Sequence, residues 1–258
     1  MTIAAAHAVR MLSNARRDGY TIEPFSFTDS AVTEGWGYAA QDLDRRDRIA
    51  DGESLVGAKL GLTSLAKQQR MGVDTPIVGF LTDSMMFEAA RVSGELHRWV
   101  QPRIEPEIVF VTTRDISTPI TVKDAAALVA SVSIGAEIID SRYTGFRFGL
   151  GDVIADNTSA AGVVLGAPHD LDGAGDLASL RCVVEVDGVV VHEASGSAIL
   201  GDPIQSMILL SEHLAARGET LPAGSVILAG AMTDAVPLAA GRTYSLRLES
   251  LGALSIRT

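Results

Sequence analysis

Two styles of hydrophobic and polar patterning divide the chain. Up to about residue 50 it is rich in helix formers and mixed charge, as in Ala39-Ala40-Gln41-Asp42-Leu43-Asp44-Arg45-Arg46-Asp47, which predicts helix with polar interruptions. Tyr20 to Phe27 carries Pro24 and reads as a connection. From Leu55 to Leu60 the chain becomes apolar, glycine-punctuated and strand-like. Ser64 then caps a short helix through Met71, with Gly72 as its stop. Glu107 to Thr113 predicts a strand by its β-branched content. Thr121-x-x-Asp124 has capping-box spacing and opens an alanine-rich helix, and Ile134 to Asp140 is strand-like again. Val183 to Val186, the pair Asp187-Gly188, and Val189 to Val191 form a hairpin pattern with a two-residue turn. Asp202-Pro203 starts a helix that Gly218 ends, with Ile204, Met207, Ile208 and Leu214 on one face. Short strands follow at Ser225 to Ala229, Thr243 to Glu249 and Ala253 to Arg257. Strands outnumber helices in the last two thirds and long βαβ alternation is absent. The expectation is an α+β fold with a mixed sheet or sandwich over residues 51–258, preceded by a helical segment over residues 1–50.

Composition removes several function classes. The net charge of −11 argues against a nucleic-acid partner, which needs a basic footprint. A small anionic substrate stays open, because one metal ion reverses the sign of a pocket locally. A single cysteine, Cys182, sits in a strand-like run and reads as a buried inert thiol, with no intramolecular disulfide possible. The first residues meet Arg10, Arg16 and Arg17 early and lack an apolar h-region, so no signal peptide is expected. No apolar run is long enough to span a bilayer, and the expected location is the cytoplasm, without a membrane partner.

Candidate chemistry begins at Arg103-Ile104-Glu105-Pro106-Glu107. Pro106 opposes a helix, and residues two apart in an extended chain point the same way. Glu105 and Glu107 therefore share a face, where two carboxylates repel unless a proton or cation lies between them. A hard cation suits them; a solvated strand face is the plainer alternative. Glu137 sits in the apolar stretch Ile134-Gly135-Ala136-Glu137-Ile138-Ile139, where a lone carboxylate is costly to bury. A third metal ligand on a neighbouring strand would explain it, as would an outward position on a half-buried strand. Lys59, among glycines and apolar residues, is either a partly buried cation serving an anion or a snorkelling surface lysine. Asp152 to Ser159 gathers small polar groups in what reads as a loop before the strand Gly162 to Leu165.

Other motifs carry nothing. Gly173-Ala174-Gly175-Asp176 approaches a dinucleotide fingerprint, but Asp170, Asp172 and Asp176 crowd it, so it reads as a turn. The histidines at 7, 97, 169, 192 and 213 lack zinc-like spacing, and no Gly-x-Ser-x-Gly elbow is present.

Five segments stand in the order of one family: Gly57-Ala58-Lys59-Leu60-Gly61-Leu62-Thr63-Ser64, Pro102-Arg103-Ile104-Glu105-Pro106-Glu107, Asp140-Ser141-Arg142-Tyr143, Val153-Ile154-Ala155-Asp156-Asn157 and Ile227-Leu228-Ala229-Gly230-Ala231. The chain resembles the hydratase/decarboxylase branch of the fumarylacetoacetate hydrolase superfamily, enzymes of meta-cleavage aromatic degradation. The resemblance runs from about residue 50 to the end, with a weaker helical match before it. It implies a mixed β-sandwich or roll core of the fumarylacetoacetase C-terminal type with flanking helices. It implies one Mg²⁺ or Mn²⁺ on Glu105, Glu107 and Glu137, a pocket lysine at Lys59, and site residues Asp156, Asn157 and Ser159. A small 2-oxo dicarboxylic acid is the implied substrate, with Arg142 a candidate for orienting its distal carboxylate. A homo-oligomer and association with the pathway hydratase are further expectations.

Within that branch two activities compete: hydration of 2-hydroxypenta-2,4-dienoate and decarboxylation of 4-oxalocrotonate (2-oxohex-3-enedioate). In the hydratases of the branch an Asp follows the proline of a Val-Asp-x-Pro segment; here Val73-Asp74-Thr75-Pro76 is followed by Ile77. That difference, with Asp140-Ser141-Arg142-Tyr143 and Ala229-Gly230-Ala231-Met232-Thr233, favours decarboxylation. The competing reading makes Ile77 core packing and gives the hydratase's work to Asp74 or Asp156. A diketo-acid C–C hydrolase and a non-catalytic homologue remain as other classes.

Overall fold

The computed structural model describes residues 3–258. Its helices are Ala5–Asp18 (α1), Glu34–Ala50 (α2), Leu65–Met71 (α3), Val92–Glu95 (α4), Val122–Leu128 (α5), Leu150–Ala155 (α6), Leu171–Ala174 (α7) and Gln205–Arg217 (α8). Its strands are Leu55–Gly61 (β1), Ile77–Thr82 (β2), Met86–Phe87 (β3), Arg103–Thr112 (β4), Val129–Ile139 (β5), Ala160–Leu165 (β6), Arg181–Val186 (β7), Val189–Ser195 (β8), Val226–Ala231 (β9), Val236–Pro237 (β10), Thr243–Leu248 (β11) and Gly252–Arg257 (β12). None of the described helices is long and apolar enough to cross a membrane.

The larger sheet runs β2-β1-β9-β4-β5-β6-β3, with β10 pairing β4. It is mixed, because β1–β9 and β3–β6 are parallel while the other pairs are antiparallel. The smaller sheet, β12-β11-β7-β8, is antiparallel throughout. The main core joins one face of each sheet to α8: Ile104, Ile108 and Phe110 of β4, Ile134, Ala136 and Ile138 of β5, Cys182 and Val184 of β7, Leu246 of β11, and Met207 and Leu210 of α8. This is the expected α+β sandwich. Cys182 is fully buried, and burial pushes its thiol up to about 12.

Alternation along the strands makes the site. With the even-numbered residues of β4 and β5 given to the core, the odd ones turn to the other face. That face carries Lys59 from β1, Arg103, Glu105 and Glu107 from β4, and Glu137 and Ile139 from β5. Register sets Glu105 opposite Glu137 and Glu107 opposite Gly135. Glu107 is also where the β4–β9 ladder reaches Ala231, with a register shift beyond it toward Val109. Pro106 is tolerated inside β4 at this irregularity, its carbonyl accepting from Met232 N at 3.0 Å.

Local signals held where a cap or turn was written into the chain. Ser64 accepts from Lys67 N and Gly72 closes α3 at φ 68°. Thr121 and Asp124 form the reciprocal capping box of α5. Asp187 and Gly188 both take positive φ in the β7–β8 turn. The reading of Asp152 to Ser159 as a loop needs correction, since Asp152 to Ala155 lie in α6. Asp152 serves as an N-terminal cap: its carboxylate accepts from Gly149 N at 2.9 Å and Ser26 N at 3.2 Å, and from the Ser26 hydroxyl. Ile154 and Val153 form an apolar face with Tyr38 of α2 and Ile77 of β2.

Candidate metal centre and its cavity

Glu105, Glu107 and Glu137 each offer a carboxylate oxygen within 4.8 Å of the others. Glu107 and Glu137 are 0% exposed and Glu105 only 7%. Glu107 Oε2 accepts from Gly230 N at 2.8 Å. Gly230 is held at φ 123°, and a Cβ there would collide with the Thr63 hydroxyl, so no other residue allows this close approach. Glu107 Oε1 and both Glu137 oxygens have no hydrogen-bond partner.

Lys59 is the buried counter-charge. Its Nζ stands 3.0 Å from Glu137 Oε2, a charge contact off the hydrogen-bonding angle, and donates to Thr158 O at 3.4 Å. Burial opposes its charge, but Glu137, Glu107 and Glu105 outweigh burial and hold the ammonium above its ordinary value. Burial raises Glu107 well above the usual carboxylate range; Glu137 adds to this and Lys59 opposes it. Burial likewise raises Glu137, against Lys59. Lys67 of α3 reaches Glu105 Oε1 at 3.4 Å from the rim. Three buried acids thus face one buried base, and the surplus acceptors fit a hard cation with oxygen ligands.

Lys59, Lys67, Glu105 and Glu107 line a cavity of about 760 Å³, and Glu137 is buried beside Lys59. Thr158 and Ser159 also line it, and their buried hydroxyls are unpartnered. Both belong to a run of three left-handed residues, Asn157, Thr158 and Ser159, with φ of 48°, 51° and 62°. Such geometry costs about 1–3 kcal/mol per residue and persists only when its surroundings dictate it. Here Asn157 imitates a strand partner: its Oδ1 accepts from Phe80 N and its Nδ2 donates to Phe80 O, both at 2.9 Å. Gly79 leaves the room that Thr158 Oγ1 fills. A second wall is apolar, with Ile77, Leu62, Met71 and Val153.

The structure separates the other two site candidates from this cavity. Arg142 is 1% exposed and its Nη1 lies 3.6 Å from Asp140 Oδ2. Its backbone N donates to Asp156 Oδ2 at 2.9 Å, its Nε to Asp156 Oδ1, and its Nη2 to Asp156 O at 3.2 Å. It borders a different cavity, beside Arg16, Asp44 and Arg48. A guanidinium so committed is not free to orient a substrate in the glutamate cavity. Burial raises Asp156 to about 6, with Arg142 opposing. Asp156 O also accepts from Ser159 N at 2.9 Å, so the pair braces the turn that carries Thr158 and Ser159. Asp74 is exposed and does not line the cavity, whereas Asp234 does so from an exposed position.

Sequence reasoning did not single out Thr158, Lys67, Arg103 or the Gly230 amide. Two of these contribute backbone groups, which leave no side-chain signature. Lys67 and Arg103 are ordinary surface types until the fold turns them to one cavity.

Comparison with known proteins agrees with this geometry. A 4-oxalocrotonate decarboxylase from Pseudomonas sp is 42% identical over 232 residues, covering 89% of each chain. A 2-hydroxyhexa-2,4-dienoate hydratase from Comamonas testosteroni is 34% identical over 248 residues, covering 95% of this chain and 94% of that one. The solved 4-oxalocrotonate decarboxylase from Pseudomonas putida G7, complexed with magnesium and adipate, superposes with a TM-score of 0.91 at 35% identity, covering 98% and 96% of the two chains. The family described as fumarylacetoacetate (FAA) hydrolase C-terminal matches residues 56–257. With that match over most of its length, the chain belongs to the fumarylacetoacetate hydrolase family.

Proposed function

We propose that the protein is a divalent-metal-dependent decarboxylase that converts 2-oxohex-3-enedioate to 2-hydroxypenta-2,4-dienoate and CO₂, with Mg²⁺ as the ion. The observation that carries the reading is the buried glutamate trio with orphaned oxygens, set beside an apolar wall, in a chain 42% identical to a 4-oxalocrotonate decarboxylase.

Glu105, Glu107 and Glu137 would hold the ion. When bound, a divalent ion supplies Lewis acidity to a 2-oxo acid's carbonyl oxygen. The C5–C6 bond of the substrate breaks, its electron pair forms C4=C5, the C3=C4 pair moves to C2=C3, and the C2 oxygen takes the charge. Lys59, itself buried, places a fixed positive charge at the cavity floor where that oxygen's charge develops. The hydroxyls of Thr158 and Ser159 are unspent and can donate to the substrate's C1 carboxylate. The Arg142–Asp156 pair acts through the turn it braces. Hydration needs a proton acceptor at the apolar wall, and Ile77, 3% exposed and packed against Val153, cannot serve as one.

The test gives purified protein and Mg²⁺ each substrate separately. The expected result is CO₂ release from 2-oxohex-3-enedioate with negligible 4-hydroxy-2-oxopentanoate from the dienoate. Efficient hydration without CO₂ release would make it a hydratase instead. Lys59→Met should lower kcat about 100-fold or more while the protein stays folded; an unchanged kcat would remove Lys59 from the chemistry.

A further inference from the structure

Four cations line the glutamate cavity: Lys59, Lys67, Arg103 and Arg147. Three are already engaged. Lys59 pairs with Glu137, Lys67 with Glu105, and Arg147, 63% exposed, reaches Glu23 at 3.9 Å. Arg103 has no ion pair and no side-chain hydrogen bond among the described residues. Its guanidinium carbon instead lies over an aromatic ring, 4.0 Å from the centroid of Phe146. That ring is delivered by an unusual backbone: Phe146 takes φ 58° directly after Gly145 at φ 65°. A bulky residue in the left-handed region is rare, and such outliers gather where a side chain must be aimed. Stacking leaves the edge of a guanidinium, with its fork of N–H donors, free for an anion.

Position along the strand adds the second argument. Arg103, Glu105 and Glu107 share the cavity face of β4, and their β5 partners on that face are Ile139, Glu137 and Gly135. Arg103 is thus one step outward from the Glu105–Glu137 pair, about 6.5–7 Å along the strand. A six-carbon diacid has five carbon–carbon bonds of about 1.5 Å, so its two carboxylates lie on the order of 6 Å apart when extended. We propose that Arg103, stacked on Phe146, is the subsite that binds the substrate carboxylate remote from the glutamate trio and selects dicarboxylic over monocarboxylic 2-oxo acids. The inference rests on the reading of the trio as a metal-bound 2-oxo acid site.

The carboxylate so held is the one that departs as neutral CO₂, so the ion pair belongs to the ground state and orients the group rather than speeding its loss. The guanidinium holds it in the ground state and fixes the direction of the C5–C6 bond, while the charge that develops in the reaction accumulates at the opposite end, near Lys59. Loss of Arg103 should therefore raise KM more than it lowers kcat.

Two probes isolate the distal group: 2-oxohexanedioate and 2-oxohexanoate share the chelating head and differ only in the remote carboxylate. Their affinities for the Mg²⁺-loaded protein are measured by calorimetry. The wild type should favour the diacid about 10- to 100-fold, the range for a hydrogen bond to a charged group. Arg103→Met should erase that preference and leave 2-oxohexanoate binding unchanged, and Arg103→Lys should restore part of it. Retention of the preference in Arg103→Met, with its loss in Lys67→Met or Arg147→Met, would overturn the assignment. Equal weakening of both ligands would also overturn it, making Arg103 a support of the metal site. Failure of the wild type to bind either ligand would instead overturn the reading of the trio, and this inference with it.

Discussion

Two buried charge clusters flank β5, one on the sheet face and one in the turns beyond its end, and they differ in how completely each is satisfied. Around Arg142 every charge has partners: the guanidinium donates to Asp156 and lies 3.6 Å from Asp140, whose Oδ1 and Oδ2 accept from Gln101 N at 2.7 Å and Val100 N at 3.0 Å. Around Lys59 the count fails: three carboxylates meet one buried ammonium, and three carboxylate oxygens and two hydroxyls make no hydrogen bond. A satisfied buried network specifies structure, whereas a partly satisfied one carries a penalty that something else must relieve. The orphaned carboxylate oxygens are therefore the sign of a ligand site, and the pairing of every charge at Arg142, where only the neutral Tyr143 hydroxyl is unpartnered, is the sign of a brace. Both clusters look alike in sequence, as charged residues within or just beyond apolar runs.

The largest effect should come from removing one charge of the unsatisfied cluster. Glu107→Gln keeps an acceptor for Gly230 N but cancels a buried negative charge. Without metal, its Tm should equal or exceed that of the wild type, because like charges no longer crowd the cavity. The rise in Tm that Mg²⁺ gives the wild type should vanish in the variant, and decarboxylation should fall about 1,000-fold or more, a barrier change of about 4 kcal/mol. Thermal melts with and without Mg²⁺ measure both. A Tm still raised by Mg²⁺ would remove Glu107 from the ligand set.

The satisfied cluster should respond in the opposite sense. Arg142→Met leaves Asp156 and Asp140 buried without their counter-charge, which costs about 3–5 kcal/mol of stability. The double variant with Asp156→Asn should recover part of the loss, since the residues are in contact and their effects are coupled. Denaturant titration reads the stabilities. A stable Arg142→Met protein with impaired turnover would restore Arg142 to the chemistry and erase the contrast between the clusters.

How much of this was legible in the chain follows from the range of the interactions. The two-residue period puts Glu105 and Glu107 on one face, a local fact; the apolar setting of Glu137 leaves a buried ligand and an outward position both open, and the β4–β5 register and the residue's burial decide between them. The turn at Asn157 to Ser159 was not legible, because its shape depends on Phe80, 77 residues away. Helix α6 was missed because Asp152 is a turn former by type, and here it caps the helix while binding Ser26 across 126 residues. Arg142 is a substrate candidate on the resemblance of Asp140-Ser141-Arg142-Tyr143 alone, because the direction of its side chain is not readable from sequence. Only the fold shows that its side chain turns away from the cavity, toward Asp156.

The smallest expected effect tests the structural side once more, away from both clusters. His213 of α8 lies with its ring centroid 5.0 Å from that of Tyr38 of α2. Burial lowers its pKa from 6.5 to about 4; Arg217 and Arg45 add to this, against Glu219 and Asp42. The folded protein thus keeps the imidazole neutral where the unfolded chain would take up a proton. Between pH 6.5 and 4 the unfolded state binds more protons, so stability falls as the pH falls. The contribution is fully present above pH 6.5 and is lost progressively as the pH drops through about 4. Carboxylates titrate in the same window, so the informative quantity is the difference between the wild type and His213→Gln. The two Tm curves should differ by a constant above pH 7, and the wild-type curve should drop more steeply below pH 6.5. Parallel curves down to pH 4 would mean that His213 is as free to charge in the folded protein as in the unfolded chain. The α2–α8 contact would then be open to water, unlike the sealed cluster at Arg142.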